Sequence, residues 1–247
     1  MSSYRRRVAD PRERLQTYAE NRNDNETTER WDAMVRFAAH HLSERFDHLT
    51  FALTDYLTTN HALLRISEKP GPTQKGDPEV EKRIEEERRL FRLIQYRIDI
   101  FFVVARMFLD DVATFIDRAL APNGVQCGKH SGVSKHLAEA AGTHGLTGYE
   151  AVIEQASTLT VTIKKFRDDF VVHRTVKNPR LLRGLMYGTK LSARLMVGMI
   201  GATDSNGPPR EHDDLFELRM ALDRYLNAVM DLVEQRPVVQ AAPVAAN

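Results

Sequence analysis

Residues 164 to 180 read KKFRDDFVVHRTVKNPR and set six basic residues and a histidine around two adjacent aspartates, groups able to hold a phosphate or move a proton. His173 is the group that titrates near neutral pH. On a helix it stands four residues, about 6 Å of rise, beyond Asp169 and on the same face. A carboxylate in that position accepts an imidazole N–H, fixes the tautomer and favours the charged ring. Lys165, four residues before Asp169, competes for the same carboxylate. Arg167 precedes His173 by six residues, so a straight helix holds the two about 9 Å apart along its axis and roughly 120° apart around it. They meet if the long arginine side chain swings across, if the helix ends between them, or if a second copy supplies one of the two.

Positive charge continues past the histidine. From Lys164 through Arg194 nine Lys or Arg stand against Asp168 and Asp169, a net +7 in a chain whose total is +1. Cations at a helix C-terminus complement its dipole, which accounts for Arg174 and Lys177. It does not account for Arg180, Arg183 and the cations after them. A cluster of this kind fits a phosphate-rich partner, with Lys164, Lys165, Arg174, Lys177, Arg180 and Arg183 as its contacts.

A second constellation is His40, Glu44 and His48, spaced so that one helical face offers two imidazoles and a carboxylate to a metal. The spacing is not that of the zinc proteases, in which the glutamate adjoins a ligand histidine. A metal site in a bundle would need ligands from other helices, for which Asp99, Asp110 and Asp117 are the candidates. The plainer reading is a polar stripe opposite the core positions Val35, Leu42 and Phe46. Asp110 and Asp111 are adjacent, so they diverge on a helix and read as cap or ion-pair residues rather than a carboxylate pair. The only cysteine, Cys127, excludes an intramolecular disulfide framework and a thiolate zinc site. Near Lys129 and His130 it shows no nucleophile–base pattern.

The elements that must position these groups are helices. Trp31, Val35, Ala38, Leu42, Phe46, Leu49 and Leu53 predict one long amphipathic helix from about residue 28 to 66, either continuous or broken near Leu57. EKPGPTQKGDP is a loop, and Asp77-Pro78 with Glu79 and Glu81 opens a helix that runs to Leu120. That helix is solvated over EVEKRIEEERR and buried on most sides from Leu90 onward. A short helix follows from about Val133 to Ala141. Thr147 with Glu150 reads as a capping box opening a helix that lasts to about His173, and a final helix spans about His212 to Gln235. The fold class is all-α: an up-down bundle of four to five long helices, a short extra helix, and an irregular or hairpin segment before the last helix. The bundle takes residues 28–236, after an N-terminal extension, 1–27, and before a disordered tail, 237–247.

With 247 residues, 42% hydrophobic and 28% charged, the chain suits a large globular domain. A net charge of +1 gives the whole molecule no pull toward nucleic acid or anionic membrane, so any such affinity is local. No apolar core follows the basic MSSYRRRVADPRER, and no apolar run is long enough for a bilayer. The expectation is a soluble cytoplasmic protein with no membrane partner.

Arg167-Asp168 followed by His173, in FRDDFVVHR, resembles the R-polar-x(3–4)-H signature of the HEPN superfamily (higher eukaryotes and prokaryotes nucleotide-binding domains). These are helical bundles with the motif on a late helix, and DIFFVVARMFLDD on the long second helix is similar to bacterial members. The resemblance implies metal-independent RNA cleavage with no cofactor. His173 would remove the 2′-OH proton, and Arg167 would hold the scissile phosphate and its developing charge. It also implies RNA or nucleotide as ligand, an antitoxin or defence-system protein as partner, and a homodimer that sets two motif helices face to face. Asp168 stands where many catalytic members have Asn or His. Two rival expectations are a non-enzymatic binding module, with Arg167 and His173 in ion pairs, and a metal-dependent helical enzyme built on His40, Glu44 and His48.

Overall fold

Six α-helices make up most of what the computed structural model describes, which is residues 10–20, 29–67, 78–120, 129–166, 181–186, 194–199 and 215–235. They are α1 (Pro11–Glu20), α2 (Glu29–Ser67), α3 (Pro78–Leu120), α4 (Val133–His144), α5 (Tyr149–Phe166) and α6 (Leu215–Glu234). A 3-10 turn at His130–Gly132 leads straight into α4. Between α5 and α6 a hairpin pairs β1 (Leu181–Met186) antiparallel with β2 (Arg194–Met199), Leu181 opposite Met199. The fold is all-α, and no described helix is long and apolar enough to cross a membrane.

Most helix limits follow the sequence pattern. α2 is continuous through Leu57, and α3 runs from Pro78 to Leu120. α4 outlasts its expected end at Ala141 because its stop is Gly145, whose φ of +64° forms a left-handed cap with its N–H on the carbonyl of Ala141. The capping box expected of Thr147 and Glu150 does not form. The Thr147 N–H instead donates to Gln235 Oε1 at 2.9 Å, and the Thr147 hydroxyl lies 3.3 Å from the same oxygen. Glu150 is taken by the Tyr149 hydroxyl, a hydrogen bond that raises the phenol above its ordinary pKa. A tertiary partner has replaced the local one.

α1 lies within the stretch read as an N-terminal extension. Asp10 caps it, accepting the Arg12 N–H at 3.0 Å, and Pro11 takes the first helical position. Leu15 is buried, and Arg14 reaches α6, where its guanidinium donates to Asp231 Oδ1 and Glu234 Oε2 at 2.7 Å and to Asn227 Oδ1 at 3.1 Å. Burial works against that charge, but the bonds to Glu234 and Asp231 outweigh it and hold the guanidinium above its ordinary range.

The chain forms two compact units, Met1–Asp47 with Met107–Thr162 and Ala221–Asn247, and His48–Arg106 with Ile163–Met220. In the first, the second half of α3 is the core. Phe108, Leu109, Val112, Phe115, Ile116 and Leu120 are all fully buried, with Phe46 and Tyr18 rings set against Phe108 and Phe115 at 6.0 and 5.8 Å. Each such side chain withdrawn from water contributes roughly 1.5–3 kcal/mol. In the second unit, Leu49, Leu53 and Tyr56 of α2, Ile94, Ile98 and Phe101 of α3, and Leu218 of α6 form the apolar interior. There Arg97 pairs with Asp55 at 2.7 Å and Arg219 donates to the Thr50 hydroxyl at 3.1 Å.

The docking of α1 has a measurable consequence. Leu15→Ala should lower unfolding free energy by about 2–4 kcal/mol, the cost of a buried truncation. Arg14→Ala should cost less, about 1–2 kcal/mol, because its acidic partners are largely solvated. Urea denaturation followed by far-UV circular dichroism measures both; no loss from either substitution would mean that α1 is an appendage.

Candidate functional site

Lys164 is the one residue of the basic stretch whose side chain is described. It is exposed in the last turn of α5, on the side away from the buried Val152, Ala156, Leu159 and Ile163. Lys165 lies in the same turn and Arg183 in β1. Arg167, Asp168, Asp169, His173, Arg174, Lys177 and Arg180 lie outside the described residues, as does Cys127.

The alternative metal face is on α2, and all three of its residues are exposed. His40 Nε2 stands 3.3 Å from Glu44 Oε1, and His41 Nδ1 stands 3.7 Å from Glu44 Oε2. His48 is a further turn along, so His40 and His48 are separated by about 12 Å of helix rise and do not converge on one ion. Among the described residues no group of three or more His, Cys, Asp or Glu is arranged to hold a metal. The aspartates considered as additional ligands are engaged elsewhere. Asp110 Oδ1 accepts the backbone N–H of His130 at 3.1 Å, and Asp117 Oδ1 faces His136 Nε2 at 3.2 Å. Asp111 pairs with Arg45 at 2.9 Å, so the two adjacent aspartates diverge as their helical positions require.

The polar centre of the first unit is one that sequence reasoning did not find. His130, 2% exposed, has its Nδ1 2.7 Å from the Thr160 hydroxyl and its Nε2 2.8 Å from the Tyr225 hydroxyl. Each hydroxyl can either donate to or accept from the ring nitrogen it faces. A hydroxyl, an imidazole and a carboxylate so close together invite comparison with a hydrolytic triad. The geometry rejects it. A triad carboxylate holds the ring nitrogen opposite the nucleophile, whereas Asp110 holds the backbone and Tyr225 occupies that nitrogen, in a place closed to substrate. His136 and Asp117 are also buried, at ion-pair distance but not aligned as a hydrogen bond. His144 Nε2 donates to the carbonyl of Leu120 at 2.8 Å, satisfying one of the acceptors left open at the end of α3. Three histidines therefore tie the segment 130–144 to positions 110, 117 and 120 on one side of α3. The residue types were visible, but no local rule pairs groups across a loop.

The one strip of α3 in this unit that is not buried carries Met107, Asp110, Asp111, Thr114 and Arg118. Asp111, Thr114 and Arg118 line an open groove of about 740 Å³ with Phe37, His41 and Arg45 of α2. Phe37 and His41 meet edge to face there, centroids 4.3 Å apart, and Arg45 lies 3.8 Å from the Met107 sulfur. The groove's lining mixes apolar side chains with His41, Arg118 and the Arg45–Asp111 ion pair, and the Thr114 hydroxyl donates to the carbonyl of Asp110 at 3.1 Å. No family model, curated protein or solved structure matches this chain.

If the His130 centre is a structural tie, Tyr225→Phe should cost about 1–2 kcal/mol by removing the hydroxyl that a buried imidazole nitrogen faces. His130→Ala should cost more, roughly 3 kcal/mol, by opening a cavity and taking the imidazole from two hydroxyls at once. Guanidinium unfolding reads both; a silent Tyr225→Phe would remove the hydroxyl from the account.

Proposed function

We propose that this protein binds RNA through the stretch from Lys164 to Arg194 and cleaves it without a metal or cofactor. Arg167 and His173 carry the chemistry, in a cytoplasmic homodimer of HEPN type serving a toxin or defence system with an antitoxin or defence protein as partner. The observation that carries this reading is the concentration of charge, a net +7 over 31 residues in a chain of +1. An all-helical architecture is compatible with the resemblance. In the proposed reaction the neutral His173 takes the proton of a ribose 2′-OH, and the 2′ oxygen forms a bond to the adjacent phosphorus. The bond from phosphorus to the 5′ oxygen breaks, leaving a 2′,3′-cyclic phosphate and a 5′-hydroxyl once that oxygen is protonated. Arg167 offsets the negative charge that gathers on the phosphoryl oxygens. Lys164, Lys165, Arg174, Lys177, Arg180 and Arg183 hold the flanking phosphates.

Asp168 favours a second reading. A carboxylate next to the phosphate-binding arginine opposes both anion binding and charge development, which suits a module that binds without turnover. One experiment separates the two. Cleavage by purified protein in chelator, with cyclic-phosphate ends, lost on His173→Ala and on Arg167→Ala by about 10²–10⁴-fold, supports the enzyme. Arg167→Lys should not restore full activity, because a point charge cannot reproduce a two-pronged contact. Binding that weakens on the order of 10²–10³-fold between 50 and 200 mM salt, without any cleavage, supports the module. Absence of binding at low salt rejects both.

A further inference from the structure

From the face of α2 that points away from the core we infer that two copies of the chain pair antiparallel along this helix, with Glu44 on the two-fold axis. Phe37 and Phe51 are 66% and 67% exposed, which is unusual for phenylalanine on a helix whose other face is buried at Val35, Leu42 and Leu49. Between them on the same exposed face are His40, Glu44 and His48. At about 100° per residue all five lie within roughly 40° of the line through Glu44, directly opposite the core. Their order is symmetric about that residue: phenylalanine seven residues away on each side, histidine four residues away on each side. A surface that reads the same in both directions is what an isologous interface requires. Antiparallel pairing about Glu44 brings Phe37 level with the partner subunit's Phe51, and His40 level with the partner subunit's His48.

Charge selects the direction and the occupant. Parallel pairing would set Glu44 and Asp55 each against its own copy. Antiparallel pairing keeps only the Glu44 contact and surrounds those two carboxylates with His40 and His48 of both copies. Glu44 already lies 3.3 Å from His40 and 3.7 Å from His41, so the acceptor is oriented before association. Apolar rings at both ends with a carboxylate–imidazole centre form a complement to themselves, and a second copy supplies all of it. The inference does not rest on RNA binding or on Arg167 and His173.

Sedimentation equilibrium and directed cross-linking test it. The wild type should be dimeric, and Phe37→Ser or Phe51→Ser should raise the dimer dissociation constant roughly tenfold to hundredfold without loss of helicity, since both rings are solvated in the monomer. In a Cys127→Ser background, Glu44→Cys should form a covalent dimer on mild oxidation. Phe37→Cys should not couple with itself, because the two copies are about 21 Å apart along the helices, but should couple with Phe51→Cys after mixing. A wild type that stays monomeric at high concentration would overturn the inference. So would a dimer indifferent to both serine substitutions, or Phe37→Cys coupling to itself as readily as to Phe51→Cys.

Discussion

A helix that is apolar on nearly every side cannot exist alone in water, and the second half of α3 is such a helix. From Phe108 to Leu120 its side chains are buried around almost the whole circumference, leaving only the strip through Asp110, Asp111, Thr114 and Arg118 uncovered. The first unit is organised by the need to cover it. α2 brings Phe46, α1 brings Tyr18, and the polar end of α3 is closed by His130, His136 and His144. The hydrophobic effect sets how much must be covered, while the histidine ties fix which segment covers it and in what register.

The first turns of α3 show the opposite regime. Glu79, Glu81, Lys82, Glu85 and Arg88 are exposed, and pairs such as Arg89 with Glu86 at 2.6 Å lie on the surface. Solvated pairs of this kind add little to stability. One continuous helix thus passes from a solvated stretch to a largely buried one, contributing to both compact units on the way.

Much of this was legible in the residues. The widening of the apolar face along α3 foretold its burial, and the three-and-four spacing of α2 gave nearly its full extent. α1 escaped notice although it carries the same Asp-Pro opening as α3, because ten residues with one apolar anchor, Leu15, make too weak a period. Its hold on α6 comes from Arg14, and a cation in a polar segment does not announce a partner more than 200 positions away. Thr147 shows the reverse error: a good local capping signal was overridden by Gln235, which lies 88 residues on. The His130 centre belongs to the same class, since its partners at positions 110, 160 and 225 are joined only by the fold. Of the candidate RNA site, composition supplied the charge, and the cleavage chemistry rests on the resemblance. Arg167 and His173 lie outside the described residues.

The account therefore joins a helical scaffold anchored by α3 to a basic stretch proposed to take RNA. Amide hydrogen exchange measured with and without a single-stranded RNA oligonucleotide tests both parts at once. The account predicts that amides from Phe108 to Leu120 exchange slowest in either state, and that RNA slows exchange selectively from Lys164 to Arg194. Exchange of α3 as fast there as over Glu79 to Arg89, or a basic stretch whose exchange RNA leaves unchanged, would contradict it.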